Sequence, residues 1–77
     1  MLYDIKVLVR GSSNAITVEQ VTADRAYAVA EDMGAAWNRP LPESMRDRQA
    51  WAEGLEERGS FSVDDGSMVI QVERSVS

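Results

Sequence analysis

One stretch of the chain has every local feature of an α-helix, and it limits what the flanking segments can form. Residues 22–37 (TADRAYAVAEDMGAAW) are rich in alanine, the residue with the highest helix propensity. Thr22 can cap the first turn with its hydroxyl, and Asp24 places negative charge where the helix dipole favours it. Apolar residues recur at intervals of three and four, which predicts one apolar face formed by Ala23, Ala26, Ala30, Met33 and Trp37. The helix therefore requires an apolar layer beneath it.

A β-hairpin over residues 2–21 is predicted on the N-terminal side of this helix. Residues 2–10 alternate between apolar and polar side chains, turn-forming residues follow, and residues 15–21 are again β-rich. A four-residue loop pairs Val9 with Ile16 and Val7 with Val18, which keeps all four side chains on one face.

A second hairpin is predicted over residues 60–74. Asp65-Gly66 is a strong signal for a two-residue type I′ turn, in which both central residues take positive φ. This turn pairs Val63 with Met68 and Phe61 with Ile70, so that turn type and apolar pattern agree.

The segment between the helix and the second hairpin is less regular. Two prolines within residues 38–42 rule out a continuing helix and predict a linker. Residues 43–58 suit a second helix that ends at Gly59, although Arg48 interrupts its apolar face and Gly54 costs up to about 1 kcal/mol inside a helix. We therefore expect this helix to be peripheral and partly mobile.

Together these elements predict one α+β domain over residues 1–77, in the order β-β-α-(α)-β-β. The sheet has four mostly antiparallel strands in an undetermined order, with the main helix on one face and the second helix peripheral. One helical layer cannot cover both faces of a sheet, so the other face is expected to be open.

Composition excludes several classes of function. The chain has no cysteine and no histidine, which removes most nucleophile–base pairs and most transition-metal sites. No apolar run is long enough to span a bilayer and no signal-peptide pattern is present, so a cytoplasmic protein is expected. The net charge of −5 argues against binding to nucleic acid or to an anionic membrane. We expect no cofactor, no metal and no catalysis.

Charged clusters have ordinary structural explanations. The acidic groups are Glu31-Asp32, Glu53 with Glu56 and Glu57, and Asp64-Asp65, and for each a structural role is favoured over a catalytic or cation-binding one. Arg39, Arg46 and Arg48 could form a basic spot. Pairing of the latter two with nearby carboxylates such as Glu43 and Asp47 on a solvated helix face is the favoured interpretation.

Apolar residues without an obvious place in the core are the candidates for an interaction site. The sheet face away from the helix is predicted to carry Leu2, Leu8, Thr17 and Val69, either as scattered surface residues or as a docking surface. Trp51 either anchors an interface or folds back over the sheet edge to complete the core. A homodimer through the open face is expected, because a small domain gains much from burying such residues.

The predicted function is therefore that of a small acidic protein-binding module. One version is an accessory or inhibitor protein of a mobile element that binds a host or defence protein, with the acidic surface competing for a basic nucleic-acid groove. A structural homo-oligomer is the alternative, and a nucleic-acid-binding module is less favoured.

Overall fold

The computed structural model describes residues 1–76 and confirms the α+β architecture. The four strands form one antiparallel sheet in the order β2-β1-β4-β3, so that the first and last strands of the chain are its central strands. A 3₁₀ turn at Glu43–Met45 precedes the second helix. The elements are β1 (Tyr3–Val9), β2 (Ile16–Val21), α1 (Ala23–Ala36), α2 (Arg48–Arg58), β3 (Ser60–Asp64) and β4 (Met68–Arg74).

Helix α1 begins and ends as its local chemistry dictates. The Thr22 hydroxyl oxygen accepts a hydrogen bond from the Arg25 backbone N–H at 3.2 Å. At the other end Asn38 adopts a left-handed conformation with φ 57°, and the Arg39 N–H donates to the Gly34 carbonyl at 2.7 Å. The helix is thus closed by a left-handed residue before the prolines of the linker are reached.

One face of the sheet carries the core. Helix α1 lies over β1, β2 and β4, while α2 lies against α1 and β3. The two central strands supply every second residue to this core, and each contributing side chain is nearly inaccessible to solvent. Buried apolar residues come from β1 (Tyr3, Ile5, Val7, Val9), β4 (Met68, Ile70, Val72), α1 (Ala26, Tyr27, Ala30, Met33) and the second helical segment (Met45, Trp51, Leu55).

The second helix is part of the core, which corrects the expectation that it is peripheral. It begins at Arg48, because Asp47 caps it by accepting a hydrogen bond from the Ala50 N–H at 3.1 Å. The break before Arg48 turns Trp51 and Leu55 inward together, at a spacing of four residues. A single helix over residues 43–58 would have placed Trp51 to one side.

The first hairpin pairs two residues away from the predicted register. Val7 lies opposite Ile16 and Ile5 opposite Val18, so the loop is longer than four residues. A shift of two preserves the face of every side chain, which is why the apolar pattern alone could not detect it. A bulge follows, where Gln20 has φ 57° and its N–H donates to Asp4 Oδ1 at 3.0 Å.

The second hairpin shows the same shift, and the type I′ prediction is wrong. Phe61 lies opposite Val72 and Val63 opposite Ile70. Gly66 has φ 89°, whereas Asp65 does not take positive φ. Asp65 closes the turn through its side chain instead, since Oδ1 accepts from the Met68 N–H at 2.8 Å and the Ser67 N–H at 2.9 Å.

Candidate interaction face

The sheet face opposite the helices is uncovered in the part of the chain that the structure describes. On the central strands the residues that alternate with the core are Asp4, Lys6 and Leu8 on β1 and Val69, Gln71 and Glu73 on β4. We call these six residues the open face. The register sets Leu8 opposite Val69, Lys6 opposite Gln71 and Asp4 opposite Glu73.

Leu8 and Val69 form the apolar part of the open face. Both side chains are half-buried, and they line a shallow depression together with Lys6 and Gln71. Thr17 on β2 is exposed and lies opposite Lys6, which extends this polar row towards the sheet edge. The structure therefore brings together three of the predicted site residues, Leu8, Val69 and Thr17.

The opposite end of the open face is acidic. The pKa of Asp4 is held below its ordinary value, first by the hydrogen bond that its carboxylate accepts from the Ser75 hydroxyl and then by the Gln20 N–H. Leu2, 45% exposed, lies beyond this end, where its carbonyl accepts from the Ser75 N–H. Leu2 is therefore separated from Leu8 by the rows that contain Lys6 and Asp4.

Trp51 is a core residue, so its interpretation as an exposed interface anchor is wrong. Its side chain is only 3% exposed and lies between Tyr27, at 5.5 Å between ring centroids, and Phe61, at 5.6 Å. The Trp51 and Phe61 rings meet edge to face, which is a favourable aromatic geometry. Its indole Nε1 is buried without a hydrogen-bond partner. The alternative prediction, that Trp51 completes a small core, is confirmed.

Two exposed apolar residues were not recognised as such from the sequence. Ile16 is 41% exposed and Trp37 is 48% exposed, although both were assigned to apolar faces that meet in the core. Ile16 belongs to the edge strand β2, and Trp37 follows the last turn of α1. In the sequence, the only indication that Ile16 and Trp37 are exposed is that each lies at the end of a row of apolar positions.

Arg48 joins the two helices instead of pairing on its own helix. Its guanidinium lies 3.7 Å from the Asp24 carboxylate and 3.6 Å from that of Glu31, both on α1. It also lies 4.9 Å from the centre of the Tyr27 ring, within cation–π range. The expected partners Glu43 and Asp47 are thus replaced by carboxylates from the neighbouring helix.

The acidic residues do not converge into a group that could hold a metal ion within residues 1–76. No group of three potential metal ligands converges there. Asp65 accepts a hydrogen bond that closes the β3–β4 turn, and the Glu31 carboxylate lies beside the Arg48 guanidinium. An open groove between the helices contains carboxylates beside Arg48, and its lining residues are Asp24, Arg48, Gln49, Ala52, Glu53 and Glu56.

Comparison with family models, with curated proteins and with solved structures gave no match. Among the helices of residues 1–76, none combines the length and the apolar character needed to span a bilayer. The arguments that follow therefore rest on the geometry of this chain.

Proposed function

We propose that this chain is a non-catalytic, cytoplasmic protein-binding module that uses the open face to contact another protein. The observation that carries the proposal is the direct opposition of Leu8 and Val69 on the two central strands. Both strands are hydrogen-bonded to a neighbour on each side, so the apolar pair is presented on a rigid surface. A rigid surface binds at a lower cost in conformational entropy than a loop does.

The surroundings of the apolar pair resemble the rim of a protein interface. Lys6 and Gln71 border the pair on one side and can exchange hydrogen bonds with a partner. Further along the face the carboxylates of Asp4 and Glu73 lie opposite each other. We therefore expect a partner that places an apolar side chain over Leu8 and Val69 and basic groups near the acidic end.

The net charge of −5 favours a protein partner over nucleic acid, because phosphates would be repelled. Inhibition of a host or defence protein by an accessory protein of a mobile element is the specific version of this proposal. In that version the basic groups contacted by Asp4 and Glu73 belong to a nucleic-acid groove of the partner.

The test is affinity capture from a host lysate with the unmodified chain and with single variants of the open face. Leu8→Asp and Leu8→Lys each place a charge in the centre of the apolar pair. We expect both variants to lose the captured partner, because desolvating an unpaired charge at an interface is unfavourable whatever its sign.

Ala50→Asp provides the matched control. Ala50 is exposed in the first turn of α2, on the helical side of the sheet, and acid is tolerated there by the helix dipole. This variant adds the same charge as Leu8→Asp and should retain the partner. Equal loss from Leu8→Asp and Ala50→Asp, or retention by both Leu8 variants, would contradict binding through the open face.

A further inference from the structure

The outer edge of β2 is the second surface that the structure leaves available, and it has a character different from that of the open face. Strand β2 is hydrogen-bonded to β1 on one side only, and within residues 1–76 no other strand pairs with it. Four of its six residues are exposed. We propose that a second copy of the chain pairs antiparallel with β2 to form a homodimer.

Exposed apolar side chains lie at the end of the sheet where β2 begins. Ile16 begins β2 and lies opposite Val7, one row from the Val9–Met68 pair. The C-terminal half of α1 reaches the same end, since a side chain at Gly34 would lie 3.8 Å from the Met68 sulfur. Trp37 follows in the next turn, so its exposed indole and Ile16 lie at the same end of the sheet.

Only the C-terminal half of strand β2 carries features that usually protect an edge, namely Glu19 and the bulge at Gln20. The strand contains neither proline nor lysine, and its bulge at Gln20 leaves Ile16–Val18 regular. The other edge strand, β3, differs because neither of its apolar residues, Phe61 and Val63, is exposed as Ile16 is, and because Asp64 pairs with Arg10 at 2.6 Å. Pairing through β2 is therefore favoured over pairing through β3.

The register of the proposed pair follows from symmetry. A two-fold axis perpendicular to the sheet leaves every side chain on the same face of the sheet. Two residues that pair across the axis must also share a face, so the axis passes through a residue that pairs with its own copy. An axis at Thr17 sets Ile16 opposite Val18 of the second copy and keeps the bulged Gln20 outside the pairing. An axis at Val18 would place Ile16 opposite Gln20.

This register is also compatible with the charge of the strand. Glu19 is the only charged residue of β2, and an axis at Thr17 sets it opposite Ala15 of the second copy. No two carboxylates face each other, and Ile16 and Val18 form a continuous apolar row on the helical side. The β2 edge is thus complementary to the same edge of a second copy. The open faces of both copies remain uncovered in this dimer.

The test is the solution mass of the isolated chain, which requires no heterologous partner. The unmodified chain should sediment at tens of micromolar with twice its mass of 8.5 kDa. Thr17→Lys and Thr17→Asp each place like charges opposite each other at the axis. We expect either variant to weaken the dimer by about tenfold or more. An equimolar mixture should recover it, because lysine then faces aspartate.

Two controls separate this dimer from association through the open face. Thr17→Val adds no charge and should retain the dimer, and Leu8→Asp should retain it as well. Far-UV circular dichroism verifies that each variant is folded. A monomeric unmodified chain, which would leave the edge to a strand of a different protein, overturns the proposal. Dissociation of the dimer by Leu8→Asp would also overturn the proposal. A mixture of the two charged Thr17 variants that stays monomeric would overturn it as well.

Discussion

The aspartates show how much structure a single side chain can fix in this chain. Asp65 Oδ1 accepts hydrogen bonds from two backbone N–H groups and from the Ser67 hydroxyl, which together close the β3–β4 turn. The Met68 N–H is the main cause of the lowered pKa of Asp65, followed by that of Ser67. The pKa of Asp64 is lowered mainly by the Gly66 N–H.

These lowered pKa values predict a particular pH dependence of stability. A carboxylate with a lower pKa in the folded state stabilises the fold above its unfolded pKa of about 3.9, and this contribution is lost as the pH falls through the folded value. For Asp4, Asp64 and Asp65 we therefore expect a contribution that is constant from pH 7 to pH 5 and lost below about pH 4.

Thermal unfolding followed by circular dichroism at a series of pH values measures this effect. The Asp65→Asn variant, whose side chain does not ionise, should lose less stability on acidification than the unmodified chain. An identical acid-induced decrease in melting temperature for both proteins would show that Asp65 does not contribute through its charge.

At the scale of the secondary-structure elements, two helical glycines are expected to respond in opposite directions to alanine. At Gly54 a Cβ would lie 2.6 Å from a guanidinium nitrogen of Arg58, the mobile end of an exposed side chain that can move away. Gly54→Ala should therefore stabilise the protein by up to about 1 kcal/mol, through the higher helix propensity of alanine.

At Gly34 a Cβ would lie 2.7 Å from the Arg39 carbonyl oxygen, in the backbone turn that ends α1. We expect Gly34→Ala to destabilise by about 1–3 kcal/mol, because the turn must shift to accept the methyl group. Urea unfolding of the two variants provides the measurement. A gain in stability for Gly34→Ala would contradict the close contact between α1 and the linker.

The elements were predictable because local patterns encode them, whereas pairing depends on loop geometry. The alternation of β1 and the capping of α1 by Thr22 both correspond to features of the structure. The registers were wrong because a shift by two residues leaves each apolar face unchanged. The side chain of Asp65 closes the second turn. The Asp-Gly pair indicated a type I′ turn and gave no sign of this role for the side chain.

At the scale of the whole molecule, the candidate site was only partly predictable. Strand alternation placed Leu8 and Val69 on the same face, and the β1–β4 pairing that sets them opposite each other required the strand order. The burial of Trp51 depends on a helix that begins at Arg48 and on contacts with Tyr27 and Phe61, which lie far apart in sequence. No single-segment pattern contains that information.

The two proposed surfaces assign separate roles to the face and the edge of one sheet. In these proposals the open face contacts a different protein, and the β2 edge joins two copies without covering that face. Lys6, the only lysine of the chain, lies in the open face opposite Gln71 and beside Leu8 and Val69 in the same depression. Its amine therefore reports on contact with the open face.

The rate at which Lys6 is acetylated by an amine-reactive reagent tests binding through the open face most directly. The rate should be measured by mass spectrometry for the free chain and for the complex with the captured partner, at one pH. We predict that acetylation of Lys6 slows markedly in the complex and is unaffected by homodimer formation. An unchanged rate in the saturated complex would contradict the assignment of the open face as the binding surface.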